Sequence, residues 1–241
     1  MTSLRKPFMA LLLLFTAAIS PLYARGREVK TVEQAANVVQ GLSVIPWGML
    51  HEAAGVAIIP RAVKAALVLD GEFGRGVVVI HEPDGRWSNP IFVTLKSSGV
   101  GGQVGIESTD LVLVFMTRKA LDRALQGRLT LGEDVALAAG PLGRDAKIAH
   151  EGRVKADIYS YSRSRGLFAG ISLERARLRI DAHSNKTFYG CREGSSAEVL
   201  AHRGAPIGAA ETLKARLLGL KPPPALPVVV VPIAPLPPRR R

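Results

Sequence analysis

GVVVIHEPDGRWSNPIFVTL, running from Gly76 to Leu95, decides the fold class. Two apolar runs, Gly76–Ile80 and Ile91–Leu95, flank Glu82-Pro83-Asp84-Gly85. Valine and isoleucine favour a pleated, packed surface. Pro83 presets one backbone angle and Gly85 admits a positive φ, so the residues between the runs form a turn. The stretch therefore predicts a hairpin, Gly76–His81 pairing with the segment after Arg86.

Further runs extend the pattern outward. Ala65–Leu69 and Asp110–Phe115 are short, rich in Val, Leu and Ile, and bounded by turn residues. Arg153–Ser160 alternates, with Val154, Ala156 and Ile158 on one side. Arg175–Ile180 alternates too: Arg175, Arg177 and Arg179 share one face, Ala176, Leu178 and Ile180 the other. The three arginines then stand roughly 6–7 Å apart along the strand. Gly71, Gly74, Gly76, Gly101, Gly102 and Gly105 lie in and between strands, where glycine permits bulges and tight bends.

Helix signals interrupt the strands. Residues 25–42 place Val32, Ala35, Ala36, Val39 and Leu42 near a helical period, with Thr31 and Gln34 at capping-box spacing. Such a helix packs on its own domain or lies on a membrane. Thr117 caps a second helix that Gly127 ends, with Leu121 and Leu125 on one face. Ser195 and Glu198 open a third, and Ala209–Leu218 is a fourth. The class is α+β, a mostly antiparallel sheet or barrel-like core with several short flanking helices.

The ends read differently. Arg5 and Lys6 precede an apolar run, Phe8–Ile19, so residues 1–24 are expected to be a secretory signal peptide, and the protein exported, periplasmic or secreted. Residues 221–241 hold half of the 16 prolines and end in three arginines, which predicts a basic, extended or disordered tail. Between them, residues 25–220 are one domain. The net charge of +12 becomes +10 without Arg5 and Lys6, and +6 without the tail's Lys221 and Arg239–Arg241. That balance favours anionic partners, and an exported address disfavours nucleic acid. Cys191 is the single cysteine, so packing alone holds the domain.

No catalytic motif is complete. His51-Glu52 begins a zinc-protease pattern, but Gly55 stands where the second histidine belongs. Gly170-Ile171-Ser172-Leu173-Glu174 lacks the second glycine of a nucleophile elbow. Gly99 to Gly105 does not fit a dinucleotide fingerprint, because Val104 stands where the third glycine belongs. Asp181, His183 and Asn185 have no metal-ligand spacing. The expectation is no enzyme, no cofactor and no metal.

Ordered blocks carry a resemblance. They are Ile45-Pro46, Ala53–Pro60, Gly74–Val79, Asp84–Pro90, Gly102–Gly105, Asp110–Met116, Leu131–Asp134, Ala138–Arg144, Tyr159–Ser172 and Tyr189-Gly190. Together they resemble the SYLF domain family over roughly residues 30–205. Gly85-Arg86-Trp87-Ser88 and Tyr161-Ser162-Arg163-Ser164-Arg165-Gly166-Leu167-Phe168-Ala169-Gly170 are the most specific. The resemblance implies binding without chemistry. Eukaryotic relatives bind phosphoinositides through basic residues and an amphipathic N-terminal helix, yeast relatives also bind actin filaments, and bacterial relatives are exported envelope proteins. Two departures stand out: no SH3 or FYVE partner domain, and no lysine or arginine between Thr31 and Gln40.

The expected function is binding of anionic phospholipid at a membrane surface. The candidate contacts are Arg61, Lys64, Arg163, Arg165, Arg175, Arg177 and Arg179. The alternative is a protein-interaction or scaffolding module, in which the Pro-rich tail could dock an envelope protein. An unrecognised hydrolase is the remote third.

Overall fold

The computed structural model describes residues 26–64, 72–97, 107–141, 156–164, 167–170, 176–204 and 207–220. The hairpin forms as the sequence predicts. Strand β2 (Glu72–Ile80) pairs antiparallel with β3 (Ile91–Ser97), with Val78 opposite Ile91. Gly85 has φ +80°, its N–H donates to Glu82 O at 2.9 Å, and His81 bridges to Trp87.

The remaining strands are β1 (Gly55–Lys64), β4 (Glu107–Phe115), β5 (Leu129–Thr130), β6 (Leu137–Ala139), β7 (Ile158–Ser164), β8 (Leu167–Gly170) and β9 (Ala176–Ile180). They form one sheet in the order β5-β9-β3-β2-β1-β4-β7-β6, with β8 added on β7. All pairs are antiparallel except β6 with β7. The outermost strands β5 and β6 are joined by residues 131–136 alone, where Leu131 bridges to Val135. A segment that short spans at most about 20 Å. The sheet must therefore curl until its ends approach, which gives the expected barrel-like core; among the described residues its end strands do not pair into a closed ring.

The central strand β1 escaped the sequence reading. Val56, Ala57, Ile58 and Ile59 are all fully buried, so the strand is covered on both faces and shows no alternation. The strand expected at Ala65–Leu69 lies outside the described residues. A register shift between Ile59 and Ala62 places Pro60 and Arg61 at a bulge, and Arg61 takes φ +53°. On β2, a Cβ at Gly76 would stand 2.1 Å from Ile58 O, so only glycine allows β1 and β2 to approach there.

Helices cover one face of this sheet. They are α1 (residues 26–39), α2 (Trp47–Glu52), α4 (Ala182–Tyr189), α5 (Ser196–Ala201) and α6 (Gly208–Leu218), with α3 (Arg118–Leu125) between β4 and β5. Helix α1 starts one turn before the expected capping box. Thr31 lies inside it and donates its hydroxyl to Arg27 O at 3.1 Å instead of capping, so Arg27 and Lys30 belong to the helix. Val32, Ala35, Ala36, Val38 and Val39 are buried, which settles the face of α1 on its own domain.

Side chains tie the helices together. Ser184 of α4 donates to Glu28 of α1, Arg216 of α6 donates to Asn37 of α1, and the Trp47 indole of α2 donates to Leu220 O. Phe92 of β3 packs edge-on against Phe188 of α4 at 5.1 Å, and the Tyr161 hydroxyl of β7 lies 3.7 Å from Met49 Sδ of α2. Helix α3 lies on the opposite face: a Cβ at Gly55 would sit 3.1 Å from Leu121. Thr117 caps α3 through Ala120 N, and Gly127 follows it at φ +66°, both as expected. Among the described residues, no helix is long and apolar enough to cross a membrane.

Candidate functional site

Strand β9 keeps the alternation its sequence predicts. Ala176 and Leu178 are buried, while Arg177 and Arg179 are exposed. Its neighbour β3 does the same at its far end. Ile91, Val93 and Leu95 point to one face, and Phe92, Thr94 and Lys96 to the other. The helix α4 covers Phe92, but Lys96 is exposed.

Register then brings the cations together. Lys96 lies opposite Arg177, and Thr94 opposite Arg179. On the other side of β3, Arg75 is opposite Thr94 and Glu72 opposite Lys96. Directly opposed residues place their Cβ atoms about 4.5–5.5 Å apart, and like charges so placed destabilise the pair. Thr94 is only 8% exposed in the middle of this row. Among the described residues, Lys96, Arg177 and Arg179 have no ion-pair partner.

Arg163 behaves otherwise. It lies opposite Asp110 across β4 and β7, and donates Nε at 2.9 Å and Nη2 at 2.6 Å to Asp110 Oδ2. The same carboxylate accepts the N–H of Arg61 at 3.0 Å through Oδ1, which holds the bulge of β1. Arg163 is therefore a structural cation. The Arg61 side chain is exposed, on the neighbouring β1 bulge. Lys64 ends β1, and its side chain lies outside the described set, as do Arg165 and Arg175. Of the seven candidates, the fold unites Arg177 and Arg179 and separates Arg61 and Arg163 from them. The sequence reading missed Lys96, although the every-second-residue pattern of Thr94 and Lys96 was the signal for it.

The groups considered for chemistry have structural roles. Asp181 caps α4 by accepting Ser184 N at 3.0 Å. Asn185 is fully buried, accepts Phe92 N at 2.9 Å and donates to Gly194 O at 2.9 Å. His51 stacks on Trp47 with ring centroids 4.6 Å apart. Burial pushes the Cys191 thiol above its ordinary value, and its Sγ donates to Asn185 O, the opposite of an activated thiolate. Burial also raises the phenols of Tyr161 and Tyr189, whose hydroxyls donate to Pro141 O and Pro90 O. Among the described residues, no group of three or more His, Cys, Asp and Glu could hold a metal ion.

Glu198 departs from the expected capping box. Ser195 caps α5 through Glu198 N, but the Glu198 carboxylate accepts three loop N–H groups, from Arg192 at 2.7 Å and from Glu193 and Gly194 at 2.9 Å. The N–H groups of Arg192 and Glu193 hold this carboxyl below its ordinary range.

Residues 96–219 match a family model, Ysc84, described as Las17-binding protein actin regulator. The chain is 41% identical over 150 residues to LAS seventeen-binding protein 3 of Saccharomyces cerevisiae, covering 61% of this chain and 32% of that protein. It is 40% identical over 151 residues to Protein YSC84 of the same yeast. It is 37% identical over 158 residues to human SH3 domain-containing YSC84-like protein 1, covering 65% of this chain and 46% of the relative. The chain thus spans between a third and a half of the length of these relatives.

Proposed function

The chain belongs to the Ysc84 family, the SYLF family its motifs resemble, and from that premise we propose that it is a binding module that docks an acidic protein surface on the bare end of its sheet. The observation that carries this reading is the row Lys96, Arg177 and Arg179 on one face, cations with no ion-pair partner among the described residues. A protein partner is favoured because the matching description names a Las17-binding protein and actin regulator. No bond is made or broken in this function; affinity comes from opposite charge brought close and weakens with salt.

A second reading rests on the same row. Guanidinium groups two residues apart on a strand suit the phosphates of an anionic phospholipid surface, and the signal-like N-terminus suits an exported protein meeting such a surface. The two readings separate experimentally. The full chain and the K96E/R177E/R179E variant would be co-sedimented with actin filaments and floated with phosphatidylserine vesicles. Filament binding lost in the variant supports the first reading. Vesicle binding alone, lost in the variant and at high salt, replaces it with the second. Binding to neither, or binding that the variant retains, removes the basic face from the function.

A further inference from the structure

Four rings form a ladder at the turn end of β2, away from the basic row. Trp47 stacks on His51 with centroids 4.6 Å apart and planes 12° apart. His51 meets His81 at 6.2 Å, and His81 stacks on Trp87 at 4.7 Å. His51 is exposed and Trp47 and His81 are half-buried, while Trp87 closes the base at 8% exposure. The Trp47 indole N–H donates to Leu220 O at 3.4 Å. That carbonyl is the last backbone group before Lys221-Pro222-Pro223-Pro224-Ala225-Leu226-Pro227.

An aromatic ledge with an indole donor aimed at a backbone carbonyl is how polyproline segments are recognised. Proline rings pack on the aromatic faces, and the carbonyls, which have no partner within a polyproline helix, accept the indole proton. The occupant is named by the contact already made: Trp47 holds the carbonyl two residues before Pro222. Lengths agree as well. Residues 221–227 in polyproline II would run about 20 Å at ~3.1 Å per residue, enough to cross the whole ladder. The tether keeps the segment at an effective concentration of order millimolar, so weak stacking suffices.

We propose that the ladder Trp47–His51–His81–Trp87 is a docking ledge for the chain's own proline-rich segment, residues 222–227. This site goes beyond the acidic-partner reading and uses none of the basic row.

The chain holds only two tryptophans, and both are in the ladder, so their emission reports on this site alone. The test compares the full chain with its P222A/P223A/P224A variant by emission maximum and acrylamide quenching. Docking predicts a red shift and stronger quenching in the variant, reversed by adding a synthetic peptide of residues 221–241. Identical emission and quenching in the two chains overturns the proposal. Quenching that falls with protein concentration equally in both chains assigns the ledge to a second copy, and overturns it too. Loss of vesicle or filament binding in K96E/R177E/R179E leaves this readout unmoved, so failure of one reading is not failure of the other.

Discussion

Arg163 and Arg177 are both strand arginines with a charged residue directly across the ladder, and the two pairs have opposite sense. Arg163 faces Asp110 and donates two hydrogen bonds to it. Arg177 faces Lys96 and has no ion-pair partner among the described residues. The Arg163–Asp110 pair is shielded, with side chains 23% and 18% exposed, and it also anchors the β1 bulge through Arg61 N. The Lys96–Arg177 pair is open to solvent. Equal residue types at equal strand positions thus hold the fold in one place and offer charge in the other. What distinguishes them is the partner in register.

The largest effect separating the two should be on binding. Reversing all three open cations in K96E/R177E/R179E removes about 1 kcal/mol each toward an acidic surface, on the order of 100-fold in affinity overall. Thermal unfolding should move little, because the row makes no ion pair among the described residues. A large loss of stability in this variant would show that the row is structural like Arg163, and the contrast would collapse.

Next in size is the shielded pair. Asp110→Ala leaves Arg163 without its carboxylate and Arg61 N without its acceptor. A fully buried pair broken this way costs more, but partial exposure brings the expected loss to about 2 kcal/mol. Tm should fall by about 4–8 °C, while affinity for the acidic partner is unchanged. Unchanged Tm would mean the pair is an ordinary surface bridge.

A smaller effect of opposite sign comes from Lys96→Glu alone. It converts a like pair opposite Arg177 into an unlike one, and should raise stability by about 0.5 kcal/mol while weakening the acidic partner. Since Glu72 also stands opposite Lys96 on β2, the gain falls short of a clean charge swap. Chemical denaturation with an unchanged m-value is the check.

How much of this was legible depends on what register adds to composition. The hairpin at Glu82–Gly85, the caps at Thr117 and Ser195, and the alternation of β9 are local events, and local sequence carried them. Strand β1 was not legible, because burial on both faces erases the period of two. The start of α1 was misplaced because Thr31 has the composition of a cap but makes an in-helix bond to Arg27 O. The pairing of Arg163 is not legible locally, because Asp110 is 53 positions away and only pairing of β4 with β7 brings it across. Lys96 was missed for the converse reason: its neighbour Arg177 arrives from a distant strand.

The smallest effect concerns a charge committed to backbone. Glu198 holds the loop before α5 through the N–H groups of Arg192, Glu193 and Gly194, and these donors lower its carboxyl below the ordinary 4.5. A carboxyl lowered in the folded state contributes stability above its unfolded value, and that contribution disappears as pH falls through the folded one. Glu198→Gln removes the charge but keeps one acceptor oxygen. The stability difference between native chain and variant should therefore be constant from pH 7 down to about 5, and narrow below the ordinary carboxylate value. Parallel curves for Glu198→Gln and the native chain below pH 4 would place Glu198 with the open charges rather than the committed ones.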